Sequence, residues 1–275
     1  MTTGFAAQSG AVAHLVPAPS ADASAGDVDA AVQLPEALVV DGDDGHHLER
    51  VRRLRVGEVV SVADGRGRWR TYEIGALGRG RLDLRATGPV HDEPRCRPGL
   101  AVAFALGKGA KPEAIVQDCT ELGVDRIVWF RSSRSVVRWD DDRSSAAVAR
   151  FAKVAREAAM QSRRAWLPEV AGPLDVAALA THPALVVGDV AGAPLADLAD
   201  PPGGAAEWCA VVGAEGGLDP AERELLLGAP GAQSLAVGVH VLRTETAAVA
   251  LAAALTTRRL GGPVTGRGDA TLRTT

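Results

Sequence analysis

Two short segments of this sequence bring glycine, charge and hydroxyl groups to strand-to-helix turns, where backbone can approach a small molecule closely. In V-V-G-A-E-G-G-L-D-P-A-E (211–222) an apolar run enters glycines and leaves through Asp219-Pro220-Ala221-Glu222, a capped helix start. It matches neither the dinucleotide fingerprint nor the P-loop, and Glu215 would repel a phosphate. A ligand loop and a plain tight turn are both compatible with it. In V-G-V-H-V-L-R-T-E-T-A (237–247), Arg243, Thr244, Glu245 and Thr246 crowd one turn. The hydroxyls can cap the helix that follows and Glu245 suits its dipole, yet capping does not account for the arginine.

Two further segments carry cations. G-K-G-A-K-P-E (107–113) holds Lys108 and Lys111, two of only three lysines, as phosphate contacts or as exposed loop residues. E-A-A-M-Q-S-R-R (157–164) places Arg163 and Arg164 at a helix end, where the dipole alone would favour them. Adjacent His46 and His47 face different ways and no His/Cys cluster accompanies them, so no metal site is expected. Cys96, Cys119 and Cys209 lack metal-ligand spacing and fit a reducing cytosol.

The chain has 275 residues, 47% hydrophobic and 23% charged, within the globular range. It shows no spanning segment and no signal peptide, so a soluble, cytoplasmic protein is expected. The net charge of -4 conceals an asymmetry. Residues 1–45 hold seven acids and no Lys or Arg; residues 46–85 hold ten arginines against five acids. That block is a phosphate-reading surface or a solvated face. With 4% aromatic residues, grip through phosphates is favoured over base stacking.

The elements that must position these groups fall into two textures. Within the first 35 residues, only the apolar patch at 11–16 offers a strand. From 56 onward, β-rich runs flank a D-G-R-G-R turn and a third run follows at 81–85, which predicts a small β-barrel-like domain. Pro89, Pro94 and Pro98 mark a linker over 88–99. Beyond it the pattern is α/β. Buried strands are predicted at 100–106, 126–130, 185–190, 209–213 and 234–241, with helices after Pro112, over 143–162, after Asp219 and over 246–255. Ala114, Ile115, Cys119 and Leu122 would form the buried face of the first helix.

Taken in order, H-H-L-E-R-V-R-R-L-R-V-G-E (46–58), A-D-G-R-G (63–67), G-K-G-A-K-P-E, T-E-L-G-V (120–124), R-S-V-V (134–137), Q-S-R-R, V-V-G-A-E-G-G-L and V-L-R-T-E-T-A resemble the bacterial 16S ribosomal RNA uridine-N3 methyltransferases of the SPOUT superfamily. The resemblance implies a PUA-like β-barrel at 1–95, a SPOUT α/β domain with a deep trefoil knot at 96–262 and a flexible tail at 263–275. It further implies a homodimer acting on 16S rRNA of the small ribosomal subunit, with S-adenosylmethionine as cofactor and no metal or membrane. Carried over by position, one cofactor loop holds Gly213, Glu215, Gly216 and Gly217. The other holds Val237, Gly238, Val241, Leu242, Arg243 and Thr244, with Thr246 at the helix start. Arg243 would stabilise a uracil anion, with Glu245, Glu121 or His240 as proton acceptors. Arg50, Arg53, Lys108, Lys111, Arg134, Arg163 and Arg164 would grip RNA. The sequence departs from the family pattern in its long acidic arm and in His240, where arginine is frequent. A SPOUT methyltransferase acting on another RNA or atom, and a non-catalytic ribosome assembly factor, are the competing readings.

Overall fold

The computed structural model describes residues 10–17, 34–50, 53–107, 111–135, 139–202 and 206–261, with 47–50 as backbone only. Strand-forming runs of the first part pair into one sheet: β1 (Ala13–Leu15), β2 (Ala37–Val40), β3 (Val59–Ala63), β4 (Arg68–Gly78), β5 (Arg81–Ala86) and β6 (His91–Asp92). Its order is β1-β3-β4-β5-β2, with β6 also on β4. Only β1 pairs in parallel, with β3; the other pairings are antiparallel. The predicted strand in the 11–16 patch is therefore present. Val60, Val62, Tyr72, Ile74, Leu82 and Leu84 alternate inward and form the core of this sheet. Helix α1 (Gly42–Arg50) lies against the β4–β5 turn, Gly45 facing the Gly80 carbonyl.

The second sheet is entirely parallel. It comprises β7 (Gly99–Ala105), β8 (Arg126–Arg131), β9 (Glu169–Asp175), β10 (Leu185–Ala193), β11 (Glu207–Val212) and β12 (Gln233–Leu235), in the order β12-β10-β11-β7-β8-β9. β7 is central and all seven of its residues are buried, as its unbroken apolar run requires. Helices α2 (Lys111–Glu121), α3 (Asp141–Ser162), α4 (Val176–Leu179), α5 (Pro220–Leu227) and α6 (Thr244–Gly261) complete the layers, with apolar clusters on both faces. In α3 the inward stripe is Ser144, Ala147, Phe151, Ala155, Ala158 and Ala159, and Asp140 caps it by accepting from the Arg143 amide.

Three expectations change. The buried face of α2 runs through Ile115, Val116, Cys119 and Thr120, and Ala114 is exposed. β12 ends at Leu235, so residues 236–243 form a loop rather than the end of a strand. β9 escaped notice because Gly172 and Pro173 interrupt it; Pro is tolerated there because the strand is at the sheet edge.

The 88–99 connection is no loose linker. His91 stacks on Trp69 at 4.2 Å, the Trp166 indole donates to the Glu93 carbonyl, and Arg95 lies 4.0 Å over the Trp166 ring. Gly67, at φ +92°, permits this approach: a Cβ there would fall 2.3 Å from Trp166. Arg156 of α3 donates to both carboxylate oxygens of Asp44 and to the Val16 carbonyl. Arg70 similarly holds Glu36. Two acids of the acidic stretch thus serve as counter-ions to structural arginines.

Candidate functional site

In a parallel sheet every strand ends at the same edge, so the loops after β7, β8, β10, β11 and β12 emerge together. There β10 and the loops after β11 and β12 enclose a cleft of about 260 Å³. Its floor is apolar, with Val187, Val212, Leu235 and Leu251, and its walls are the loops 213–218 and 237–242. Gly213 belongs there because a Cβ would meet the Leu218 amide nitrogen at 2.8 Å, closing the loop's turn.

Of the residues assigned to a cofactor, Gly213, Glu215, Gly217, Val237, Gly238, Val241, Leu242 and Thr244 line this cleft, and so does His240. Gly216, Arg243 and Thr246 are outside its lining. Arg243 is exposed at the start of α6. The Thr244 hydroxyl donates to the Gly213 carbonyl at 3.1 Å. It therefore ties the two loops together instead of capping its helix.

The loop after β8 braces the first wall. Ser132 donates to Glu222, the Ser133 hydroxyl to Asp219 and the Ser133 amide to Glu222. Asp219 and Glu222 in turn form the capping box of α5. The Ser133 hydroxyl bond, followed by the Glu222 amide, holds the Asp219 carboxyl below its ordinary range. Arg134 donates to the Gly216 carbonyl at 2.7 Å, so this predicted RNA contact is engaged within the loop. Lys111 is likewise drawn to Glu215, at 3.1 Å, and to Glu245, at 3.6 Å.

Sequence reasoning missed Asp189, inside β10 where the register with β12 shifts. It accepts from the Ala191 amide at 2.9 Å and from two nitrogens of Arg223, and both residues line the cleft. The Ala191 bond, followed by that of Arg223, holds its carboxyl below the ordinary range. An acid closing the apolar run V-V-G-D was the available signal.

Three assigned residues lie at the opposite edge. A helix that follows a parallel strand runs back along it, so the ends of α2 and α3 are far from the strands' carboxyl ends. Glu121 is exposed on the last turn of α2, about 15 Å along the axis from Lys111, and accepts from Gln117. It is not a group of the cleft. Arg163 occupies the left-handed C-cap of α3. Arg164, its side chain 11% exposed, donates to the Thr120 carbonyl and pairs with Asp125, which Arg259 also binds. Burial lowers the Arg164 pKa to about 10. It joins elements instead of offering its charge to RNA. Of the remaining cations, Arg53 is exposed with φ 50°, the Arg50 side chain is not described, and Lys108 lies outside the described residues.

Residues 95–256 match the family described as RNA methyltransferase domain, and 40–87 match the RNA methyltransferase PUA domain. The chain is 36% identical to Ribosomal RNA small subunit methyltransferase E of Mycobacterium tuberculosis, over 84% of this chain and 88% of the relative. It belongs to the ribosomal RNA small subunit methyltransferase E family. The family's Bacillus subtilis member is 28% identical, over 78% of this chain and 88% of its own. Among solved structures, the family's Neisseria gonorrhoeae member, bound to S-adenosyl methionine, superposes with a TM-score of 0.73 at 24% identity. The superposition spans 90% of this chain and 97% of that one, and shows a shared fold.

Proposed function

We propose that this chain methylates N3 of a uridine in 16S ribosomal RNA of the small ribosomal subunit, with S-adenosylmethionine as methyl donor. The observation that carries the reading is the cleft itself, in a chain of this family. The residues present fit the donor. Backbone at 213–217 and 237–238 offers hydrogen bonds without side-chain bulk, and the apolar floor suits a purine. Asp189 and Glu215 present carboxylates at the cleft, which suits a ligand carrying sulfonium and ammonium groups. When bound, S-adenosylmethionine supplies an electrophilic methyl group, and the protein's own work is positioning and charge.

Uridine N3 bears a proton on the Watson–Crick edge, so the base has to be unpaired or flipped out and the proton removed. Arg243 stabilises the uracil anion, and Glu245 or His240 accepts the proton. Arg50, Arg53 and the exposed arginines of β3–β5 and their turns grip phosphates. In this reading residues 1–95 hold a PUA-like barrel and 96–262 a SPOUT domain with a trefoil knot; the tail expected at 263–275 lies outside the described residues. The enzyme is a cytoplasmic homodimer. Val239 and Val241, each 85% exposed beside the cleft, support a covering partner subunit.

The test is a nucleoside profile, by mass spectrometry, of ribosomal RNA from a deletion strain. Loss of 3-methyluridine, restored by the intact chain, is expected. Unchanged 3-methyluridine would overturn the substrate, and loss of another methylated nucleoside would identify the other target. A purified protein that binds no S-adenosylmethionine in calorimetry would mark an assembly factor.

A further inference from the structure

We propose that Lys111 is a positioning residue that cross-links the two walls of the cleft, and that it makes no phosphate contact. The inference rests on the function proposed above. Lys111 opens α2, where a cation opposes the helix dipole, so its position calls for nearby negative charge. Two carboxylates supply it. Glu215 belongs to the first wall and takes Lys111 Nζ on Oε1 at 3.1 Å. Glu245 follows the second wall, in the first turn of α6, and lies 3.6 Å from the same nitrogen through Oε2.

That Glu245 oxygen is excluded from solvent and has no hydrogen-bond partner. Among the described residues, Lys111 is the cation within 4 Å of it. A shielded carboxylate oxygen needs a counter-charge, and here one ammonium serves both walls. Gly107 keeps the passage open, since a Cβ there would stand 3.0 Å from Glu215 Oε1. Without Lys111, the shielded Glu245 oxygen loses its counter-charge and the walls lose this tie. The Thr244–Gly213 bond would then be the remaining described side-chain link between them.

The experiment compares Lys111→Met, Lys111→Arg and Lys111→Met/Glu245→Gln with the wild-type chain. S-adenosylmethionine binding is read by calorimetry, RNA binding by its salt dependence and stability by thermal melting. Lys111→Met is expected to weaken S-adenosylmethionine about tenfold and raise its KM with little change in kcat. Lys111→Arg should recover to within about threefold, and the double variant should melt above Lys111→Met because the orphaned carboxylate is gone. The RNA salt slope should stay at the wild-type value. A Lys111→Met protein with wild-type cofactor affinity would overturn the proposal, and so would loss of about one unit of log–log salt slope. Should Lys111→Met not fold, the double variant has to fold; equal failure would overturn the proposal. A wild-type chain that binds no S-adenosylmethionine counts against the proposed function alone, since melting reads the cross-link without it.

Discussion

The two edges of the parallel sheet differ in whether their paired charges also face an open cleft. At the carboxyl edge, glycines and carboxylates surround an open cleft, and Asp189, Glu215 and Arg223 face it. At the amino edge the charges close on one another. Asp125 accepts from the Leu100 amide and pairs with Arg164 and Arg259, while Glu207 holds Arg126 and His182. The difference teaches that an arginine near a helix end is informative only once its edge is known. Arg134 and Arg164 both follow regular elements, yet one braces the cleft loop and the other locks the far edge.

The comparison breaks most visibly if glycine is dispensable at the open edge. Gly213→Val should lower S-adenosylmethionine affinity by at least about a hundredfold in calorimetry, because the added atoms collide with backbone at 217–218. An affinity within tenfold of wild type would deny the loop its role. At the closed edge, Arg164→Met should cost about 3 kcal/mol in a denaturant titration. Arg163→Ala, at the neighbouring capping position, should cost under about 1 kcal/mol. Equal costs would erase the distinction drawn here.

A pH titration sharpens the same contrast. His14 in β1 is buried, with its Nε2 donating to the Arg164 carbonyl and Nδ1 at 3.0 Å from the Ser61 hydroxyl. Burial pushes its pKa down to about 4, against 6.5 for a free histidine. The folded state therefore holds His14 neutral while the unfolded chain protonates first. Its contribution is complete above pH 6.5 and is lost as pH falls toward 4, amounting to roughly 3 kcal/mol over that window. Denaturation midpoints of wild type and His14→Asn should converge as the pH is lowered; parallel curves would refute this. The smallest effect is expected of Glu121→Gln, with kcat and stability within about 0.5 kcal/mol of wild type. A large fall in kcat would return Glu121 to the chemistry.

Much of the architecture was legible because it rests on local rules. The apolar run of β7, the stripe of α3 and the Asp219–Glu222 cap are set by residues close in sequence, and each stands where it was predicted. β12 was drawn too long because residues 236–241 keep an apolar pattern after the last strand pairing ends. Asp189 was missed because a lone acid within a strand carries no motif; its meaning comes from Arg223, 34 positions later.

By itself, then, the sequence determined the α/β texture, the glycine loops and the family resemblance, since these depend on residue type and short spacing. Only the tertiary structure decided which charged groups meet. Lys111 faces Glu215 across 104 positions, Arg156 reaches Asp44 across 112, and Arg164 turns inward while Arg243 stays exposed. Coulombic and hydrogen-bonding partners are chosen by distance in space and by the water they exclude, and neither can be read from separation along the chain.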